Sequence, residues 1–413
     1  MSVTLHIPLD IPEIRLLSTE RTEEGELLLK VESVRRTTPC RRCGRELTHQ
    51  HGLDRPIRLR HLPILEQAVY IEIRPRRFQC RDCEGKPTTT QRLDWYEENS
   101  PHTKAFDQWL LKLLINATVA DVGRRCEVGY DAVEGALARG VSTTVDWERF
   151  ETLETLGIDE IALRKGHKHY VAVVSCRDAD GRIAVLAVLP DRLKATVVGF
   201  FASIPARLKA SVERVCTDIH DGYLQAAREV LPGAEIVIDR FHVAKNYHEG
   251  VDRLRKQELR RLKEDLPEST YGELKGVMWV YRRHWWDLDD EQRGQLALLF
   301  MYSPALQEAY FLRHRLTLIF EGAETKAQAL AYLDAWQRKV LDSGLRCFDA
   351  FMTTLGNWRD EICNYFNGRH SSGFVEGLNN KLKVIKRRCY GLLDPVRLFQ
   401  RIQLDLEGEE AFV

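Results

Sequence analysis

The sequence predicts a multidomain α+β protein, and three observations support this prediction. The chain has 413 residues, too many for one ordinary domain, and 44% of them are hydrophobic, which is enough for sizeable cores. Two Cys-x-x-Cys pairs lie in a strand-like N-terminal part. Strand-like runs then alternate with helical ones from residue 156, and a long helical stretch follows from residue 240. We therefore expect two to four structural units, built from five consecutive segments.

Charge and hydropathy narrow the class of protein. Lys+Arg and Asp+Glu are equal at 61 each, so the net charge gives no information about partners. Residues 35–92 carry 14 Lys/Arg against 6 Asp/Glu, a local excess that is common in nucleic-acid-binding segments. No run of apolar residues predicts a membrane span, and the N-terminus lacks the basic start of a signal peptide. Ten cysteines without a secretory signal favour a cytoplasmic protein over a disulfide framework.

The first segment, residues 1–95, is predicted to bind structural zinc. Cys40 and Cys43 form one Cys-x-x-Cys pair, and Cys80 and Cys83 form the other. Each pair offers two thiolates from a tight turn, and four thiolates complete a tetrahedral zinc site with no open position for chemistry. Strand-like residues between the pairs favour a zinc ribbon, while unrelated buried cysteines or a redox pair are the alternatives. The three histidines between the pairs are not needed as ligands and are expected at the surface: His49, His51 and His61.

The second segment, residues 96–150, has the pattern of a helix-turn-helix. Apolar spacing predicts one helix over 102–116 and two short helices over 119–126 and 131–139, with a glycine turn between the short helices. The last of these helices would enter a DNA major groove, with Tyr130 near its leading end. Because this helix is poor in Arg and Lys, a three-helix bundle that serves protein contacts is the alternative.

The third segment, residues 151–240, predicts an α/β core. Three strand-like runs with short links, LGIDEIAL, HYVAVVSC and RIAVLAVL, indicate an antiparallel meander. Helices then alternate with the strands RVCTD and EIVID, which is the element order of a ribonuclease H-like fold. Asp159 lies inside the first run. Asp218 and Asp239 end the two later strands, where open α/β sheets place their chemistry.

The fourth segment, residues 241–366, is predicted to be an all-α insertion in that core. It is rich in Leu, Arg and Glu, and it contains the aromatic group Trp279, Tyr281, Trp285 and Trp286. Such side chains usually belong to a core, although exposed ones can stack on unpaired bases. The insertion separates the last predicted strand from the fifth segment, residues 367–413, which returns to the core.

The fifth segment contains the stretch SSGFVEGLNNKLKVIKRRCYGL, in which a single acid precedes a row of cations. Ser372 is expected to cap a helix here. One face of that helix would hold Glu376, Asn380, Lys383 and Arg387. The opposite face, which is expected to pack on the core, would hold Phe374, Leu378, Leu382 and Ile385. One carboxylate followed by cations suits a metal beside a phosphate backbone, and a solvated amphipathic helix is the alternative.

Asp159, Asp218 and Glu376 are candidates for one catalytic site. Three carboxylates at one point repel one another unless divalent cations neutralise them. Oxygen ligands suit Mg²⁺ or Mn²⁺ rather than zinc, and two such ions about 3.5–4 Å apart support phosphodiester displacement. The alternative for each acid alone is a helix cap or a surface charge, although Asp159 is costly in an apolar strand without a partner.

Four stretches resemble the signature segments of DDE transposases of the ISL-three insertion-sequence family. They are GIDEIALRKGH, CTDIHDGY, DRFHVAKN and SSGFVEGLNNKLKVIKRRCYG. The cysteine pairs and the helix-turn-helix also match the layout of that family, so the resemblance covers nearly the whole chain. It implies a ribonuclease H-like catalytic core with Asp159, Asp218 and Glu376 as the metal-binding triad. It also implies N-terminal modules that bind the inverted repeats at transposon ends.

Further expectations concern DNA and assembly. The side chains expected to contact DNA are Asn380, Lys381, Lys383, Lys386, Arg387, Arg388 and Tyr130. A homodimer or larger assembly is expected on DNA, because two transposon ends are held together. Asp239 and His242 match a family segment and are candidates to support the metal ligands. A bacterial, nucleoid-associated location is implied. A non-catalytic DNA-binding regulator and a metal-dependent nuclease without strand transfer are the alternatives.

Overall fold

The computed structural model describes residues 9, 11–164, 169–369, 373–390 and 392–412, apart from the side chains at positions 164, 169 and 376. The chain forms two compact units. The first unit comprises residues 1–143 and 385–413, and the second comprises residues 144–384. None of the helices in the described ranges combines the length and the apolarity that a membrane crossing requires.

The strands and helices are numbered in chain order. The strands are β1 Ile14–Arg21, β2 Leu27–Ser33, β3 Thr38–Pro39, β4 Glu46–Leu47, β5 Gln50–Leu53, β6 Ile57–Ile64, β7 Gln67–Ile73, β8 Arg76–Gln79, β9 Thr88–Thr90, β10 Glu154–Arg164, β11 His169–Arg177, β12 Ile183–Leu189, β13 Val212–Thr217 and β14 Glu235–Ile238. The helices are α1 Lys104–Leu114, α2 Val119–Cys126, α3 Tyr130–Gly140, α4 Lys194–Ser203, α5 Ala206–Lys209, α6 Asp221–Val230, α7 Arg240–Asp265, α8 Glu268–Glu273, α9 Val277–Val280, α10 Asp290–Tyr302, α11 Pro304–Gly322, α12 Lys326–Ser343, α13 Asp349–Cys363, α14 Gly373–Arg388 and α15 Pro395–Phe412. Short 3₁₀ turns lie at Trp147–Arg149, Trp285–Asp287, Arg346–Phe348 and Asn364–Phe366.

The first unit begins with a four-stranded sheet in the order β1-β2-β7-β6. Strands β2 and β7 run parallel, and the two outer pairs are antiparallel. Alternate residues of β2 and β7 are buried, as expected for a sheet with one covered face. The expectation that His61 lies at the surface was wrong. His61 on β6 is buried, and its Nδ1 lies 3.0 Å from the Thr103 hydroxyl, which supplies the partner that a buried imidazole needs.

The predicted helices of residues 96–150 are present as α1, α2 and α3, and they share one apolar core. Helix α15, from the other end of the chain, completes this core with Leu404. Polar side chains of α15 also donate hydrogen bonds to backbone carbonyl groups beside these helices. Gln400 Nε2 donates to Val141 O at 2.5 Å, and Arg401 Nη2 donates to Ala117 O at 2.9 Å. The three-helix segment therefore depends on side chains of α15.

The second unit is organised around a five-stranded sheet in the order β12-β11-β10-β13-β14. The meander β10-β11-β12 is antiparallel, whereas β13 and β14 run parallel to β10. The strands predicted from the five apolar runs are therefore confirmed, while the predicted link RKGHK falls largely outside the described residues. Apolar side chains of the sheet, of α4 and α6 and of the helices from α7 to α13 form one continuous core.

The predicted helices of residues 241–366 are present as α7 to α13, but the three tryptophans of the predicted aromatic group are not core residues. Tyr281 is buried, whereas Trp279, Trp285 and Trp286 expose 62%, 37% and 50% of their surface. Each exposed ring is covered on one side by a cationic or imidazole group. Arg282 lies over Trp279, Arg293 lies over Trp285, and His284 stacks on Trp286. These contacts stabilise aromatic rings that are only partly removed from water.

Helix α14 packs on the sheet through a face that differs from the predicted one. Leu382 and Ile385 are buried as predicted, but Phe374 and Leu378 are only half-buried. Val375 and Asn379 occupy the buried positions instead. In the first half of the helix the predicted buried face was shifted by one residue, because the prediction assumed that every buried position is apolar.

Gly157 on β10 allows this close packing. A Cβ at position 157 would collide with Val375 and would lie 3.1 Å from Phe374 Cζ. The missing side chain therefore sets how closely α14 approaches the strand that carries Asp159.

We expect Gly157→Ala to lower the free energy of unfolding by about 1–3 kcal/mol, because the added methyl group overpacks the contact with α14. Denaturant unfolding followed by circular dichroism measures this change. Gly199→Ala is the matched control, since Gly199 is exposed on α4 with nothing within 4 Å of its Cβ position. A Gly157 variant as stable as the control would contradict the proposed packing constraint.

Candidate metal centres and DNA-binding elements

Two similar turns position the four N-terminal cysteines. The first turn joins β3 and β4, and the second joins β8 and β9. In the first turn Cys40 N donates to Arg45 O at 2.7 Å, and in the second Cys80 N donates to Pro87 O at 2.9 Å. Gly44 and Gly85 follow the cysteine pairs with φ angles of +73° and +75°, a conformation that glycine adopts without strain.

The four sulfur atoms of Cys40, Cys43, Cys80 and Cys83 lie within 4.8 Å of one another, and Cys43 Sγ is 3.8 Å from Cys80 Sγ. A tetrahedral site with Zn–S bonds of about 2.3 Å requires sulfur separations of about 3.8 Å. Backbone N–H groups of Cys43 and Arg42 lower the pKa of the Cys40 thiol, which favours the thiolate that binds metal. The cluster therefore fits structural zinc.

The helix-turn-helix presents Tyr130 but little positive charge on α3. The Thr118 hydroxyl caps α2 by accepting from Asp121 N, and Gly129 precedes α3. Tyr130 is 57% exposed at the start of α3, as expected for a group that reaches a groove. Arg139, the single basic residue of α3, donates to both carboxylate oxygens of Asp107 at 2.9 and 3.0 Å. Direct base reading by a cation of α3 is therefore not favoured.

Three aspartates lie at one edge of the second unit's sheet. In the parallel ladders Ile158 pairs with Thr217, and Thr217 pairs with Ile238. Asp159, Asp218 and Asp239 follow these residues directly, so they occupy matching positions on three adjacent strands. Since neighbouring strands are about 4.8 Å apart, the three side chains begin close together.

The three aspartates have different hydrogen-bond partners. Asp159 Oδ1 accepts from Glu160 N at 2.6 Å, and Asp159 Oδ2 accepts from the side-chain amide of Asn379 on α14. Asp239 Oδ1 accepts from Phe241 N at 2.9 Å and caps α7. Asp239 therefore has a structural role that its position in the sequence motif did not reveal.

The electrostatics of Asp159 and Asp218 are those of buried carboxyl groups. Burial raises the pKa of Asp159, and His242 and Lys383 act in the opposite direction. Burial, followed by the carboxylates of Glu160 and Asp159, raises the pKa of Asp218 to about 7. Each group would be stabilised as a carboxylate by a nearby positive charge.

Unsatisfied oxygen atoms at this edge fit a divalent cation. Asp218 Oδ1 and Asn379 Oδ1 are buried, and neither has a hydrogen-bond partner within the described part of the chain. Carboxylate and amide oxygens are the ligands that Mg²⁺ and Mn²⁺ prefer. Among the described side chains, however, only the four cysteines form a group of three or more ligand atoms within 4.8 Å of one another. Glu376 lies on α14, three residues before Asn379, and its side chain is outside the described residues.

Sequence reasoning missed two polar residues of this site. Glu160 follows Asp159 directly, accepts from Arg192 Nη1 at 3.2 Å and from the Tyr223 hydroxyl at 3.4 Å, and adds to the negative charge around Asp218. The second missed residue, Asn379, is buried, whereas the predicted DNA contact Asn380 is exposed. The signal for Asn379 was its spacing, since it lies four residues after Val375.

The cations of α14 fall into two groups. Lys381, Lys383 and Arg387 are exposed and suited to contact phosphate, and Lys386 is half-buried. Arg388 forms an ion pair with Asp405 of α15 and donates to Asn116 Oδ1 at 3.3 Å. These bonds occupy the Arg388 guanidinium, so it is a weaker candidate for a DNA contact than its neighbours.

Comparison with known proteins places this combination of zinc cluster, helix-turn-helix and α/β unit in one family. Residues 156–402 match the ISL3 transposase family. Residues 36–83 match the zinc-finger of transposase IS204/IS1001/IS1096/IS1165, and residues 91–141 match the helix-turn-helix domain of transposase family ISL3. The chain belongs to the ISL3 family of insertion-sequence transposases, the family that its signature segments resemble.

Full-length relatives agree with this assignment. The transposase for insertion sequence element IS1001 of Bordetella parapertussis is 30% identical over 373 residues, which cover 89% of each chain. Transposases for insertion sequence element IS1557 from two strains of Mycobacterium tuberculosis, CDC 1551 / Oshkosh and ATCC 25618 / H37Rv, are each 27% identical over 418 residues. That alignment covers 94% of this chain and 91% of the relatives.

We expect Cys40→Ser to lose bound zinc and to weaken binding to transposon-end DNA, because one of four ligands is removed and the fold of the ribbon depends on the metal. Elemental analysis measures the zinc content, and a gel-shift titration measures the DNA affinity. Cys347→Ala is the control, since Cys347 belongs to the second unit and is not one of the four clustered cysteines. Unchanged zinc content in Cys40→Ser would contradict the site.

We expect Asp218 to make the metal-free protein less stable as the pH rises. Its pKa is raised to about 7 in the folded state, so its stabilising contribution is fully present below about pH 4 and is lost as the pH rises through 7. Asp218→Asn removes this titration. In EDTA, the Tm of the variant relative to wild type should therefore increase between pH 5 and pH 8. The exposed Asp180→Asn is the control, and an equal Tm shift at both pH values would contradict the interpretation.

Proposed function

We propose that this transposase cuts and joins DNA at a metal-dependent carboxylate site formed by Asp159, Asp218 and Glu376. The observation that carries the proposal is the edge of the sheet at which Asp159 and Asp218 follow paired residues of adjacent parallel strands. Burial raises the pKa of both groups, and the carboxylates of Glu160 and Asp159 raise the pKa of Asp218 further, so a divalent cation would stabilise the charged forms. Glu376 would join them from α14, which is docked on the same strand through Val375.

We further propose that residues 151–240, together with the helix of segment 367–413 that carries Glu376, form a ribonuclease H-like core with residues 241–366 as an all-α insertion. The other helix of that segment, α15, packs in the first unit. The sheet order β12-β11-β10-β13-β14, with three antiparallel strands followed by two parallel ones, supports this proposal. Residues 1–95 and 96–150 would form the zinc ribbon and the helix-turn-helix domains.

The side chains at the proposed site have separable roles. Asp159, Asp218 and Glu376 would hold two Mg²⁺ or Mn²⁺ ions. When bound, such ions neutralise the developing charge and activate the attacking oxygen in phosphodiester displacement. Asn379 fixes one oxygen of Asp159, and Lys383 offsets its negative charge. His242 acts on Asp159 in the same direction as Lys383 and is proposed as a supporting group.

The proposed reaction has two steps at one site. Water attacks the phosphodiester at the transposon end, and the bond between phosphorus and the 3′ oxygen of the transposon strand breaks. The transposon strand is left with a 3′-hydroxyl, and the flanking strand keeps the phosphate as a 5′-phosphate. That hydroxyl then attacks a phosphodiester of the target DNA, and the transposon strand is joined as the target strand is broken. The exposed Lys381, Lys383 and Arg387 are proposed to hold phosphates during these steps.

The first unit is proposed to recognise the transposon ends. A basic zinc ribbon followed by a helix-turn-helix suits duplex DNA, with phosphate contacts that make binding salt-dependent. Because both transposon ends must be held for coordinated joining, we propose a homodimer or a larger assembly on DNA. The expected place of action is the bacterial nucleoid.

We expect Glu376→Gln to reduce DNA cleavage by more than about a hundredfold while leaving DNA binding unchanged, because the substitution keeps the shape of the side chain and removes a cation ligand worth several kcal/mol. Labelled DNA that contains the native transposon ends is incubated with the protein and Mg²⁺ or Mn²⁺, and the products are separated on a denaturing gel. Glu324→Gln, an exposed acid of the insertion, is the matched control.

The products also separate the proposed function from its alternatives. Joined strands identify a transposase, whereas cut ends that are never joined identify a nuclease. Tight binding without any cut, in wild type and in Glu376→Gln alike, would contradict the proposal and favour a DNA-binding regulator.

A further inference from the structure

Asn379 is a buried amide in a helix face that is otherwise apolar. It is 2% exposed and lies between Val375 and Leu382, which are also buried. A polar side chain in such a position costs free energy unless its hydrogen-bonding groups are satisfied. A leucine or valine at this position would pack without that cost, so the amide requires an explanation beyond packing.

One end of the Asn379 amide has a clear partner. Asn379 Nδ2 donates to Asp159 Oδ2, while the other oxygen of Asp159 accepts from Glu160 N at 2.6 Å. Asp159 is therefore held from two directions, by its own strand and by the helix that also carries Glu376. This arrangement fixes the orientation of the carboxylate before any cation binds.

The other end of the amide has no partner among the described residues. Asn379 Oδ1 is buried and unsatisfied, and the same is true of Asp218 Oδ1 on the neighbouring strand. The nitrogen and the oxygen of an amide are bonded to the same carbon atom. The unsatisfied Asn379 Oδ1 therefore lies next to the Nδ2 that contacts Asp159. A buried oxygen without a donor is costly, and a divalent cation or a water held by it would remove that cost.

The position of Asn379 is set by the packing of α14. Gly157, two residues before Asp159, leaves room for Val375, and Val375 is one helical turn before Asn379. The same contact therefore brings the amide to Asp159.

We propose that Asn379 is a positioning residue of the carboxylate site. Its amide nitrogen fixes Asp159, and its amide oxygen adds a neutral oxygen ligand to the set that receives the divalent cation. The inference rests on the proposed metal-dependent function, and it assigns to α14 a second contribution to the site besides Glu376.

The test compares Asn379→Ala and Asn379→Asp with the control Gln307→Ala, which alters an exposed amide on α11, in the full-length protein. Isothermal titration measures Mn²⁺ affinity, and cleavage of transposon-end DNA is followed over a range of Mn²⁺ concentrations. We expect Asn379→Ala to bind Mn²⁺ about 10–100-fold more weakly, as is typical when a residue that orients metal ligands is removed. Half-maximal cleavage should shift to higher Mn²⁺ by a similar factor, and Gln307→Ala should match wild type.

Asn379→Asp makes the test independent of folding defects. A carboxylate opposite Asp159 adds repulsion, so the Tm of this variant in EDTA should fall below that of wild type. Mn²⁺ should then raise its Tm more than it raises the Tm of wild type, because the added charge is neutralised. A structural role alone would lower the Tm of both Asn379 variants without changing the Mn²⁺ dependence of cleavage.

Two results would overturn the inference, and they are distinguishable. If Asp159→Asn weakens Mn²⁺ binding while Asn379→Ala binds Mn²⁺ as wild type does, the assignment of Asn379 is wrong and the proposed function stands. If neither Asp159→Asn nor Asn379→Ala alters Mn²⁺ binding, the metal-dependent function fails, and the role of Asn379 fails with it.

Discussion

Repulsion between carboxylates at one edge of the sheet constrains which side chains can surround Asp159 and Asp218 in the second unit. Parallel pairing of β10 with β13 places Asp159 and Asp218 side by side, and Glu160 adds a further negative charge. Their neighbours offset this repulsion only in part. Arg192 donates to Glu160, and Asn379 donates to one oxygen of Asp159. The positive charge of Lys383 also acts on Asp159. Buried carboxyl groups with raised pKa values therefore lie at this edge of the sheet, an arrangement that favours a functional site.

The sequence predicted most of the architecture because its strongest signals are local. Apolar runs with short links marked β10, β11 and β12, and the cysteine spacing marked a cluster whose sulfur atoms do converge. The ends of β13 and β14 were also predictable, since an aspartate directly follows each apolar run. Each of these features depends on a few consecutive residues.

The features that were not predicted depend on contacts between distant residues. Asn379 is polar, and only its partner on β10, more than two hundred positions earlier, explains why it is buried. His61 was expected at the surface because its partner Thr103 lies in another segment. The partial exposure of Trp279, Trp285 and Trp286 depends in the same way on arginine and histidine side chains that cover one side of each ring. Composition and periodicity carry no information about such pairings.

The first unit is built from two separate stretches of the chain, and this affects the order in which its parts can fold during synthesis. Its helix-turn-helix core is closed by Leu404, and α15 also ties down the backbone at Ala117 and Val141. A ribosome therefore synthesises every residue of the second unit before it supplies the helix that finishes the first one. Until α15 has emerged, the helices α1, α2 and α3 of a nascent chain lack part of their core. A chain broken off before α15 would contain every residue of the second unit but would leave the helix-turn-helix core open.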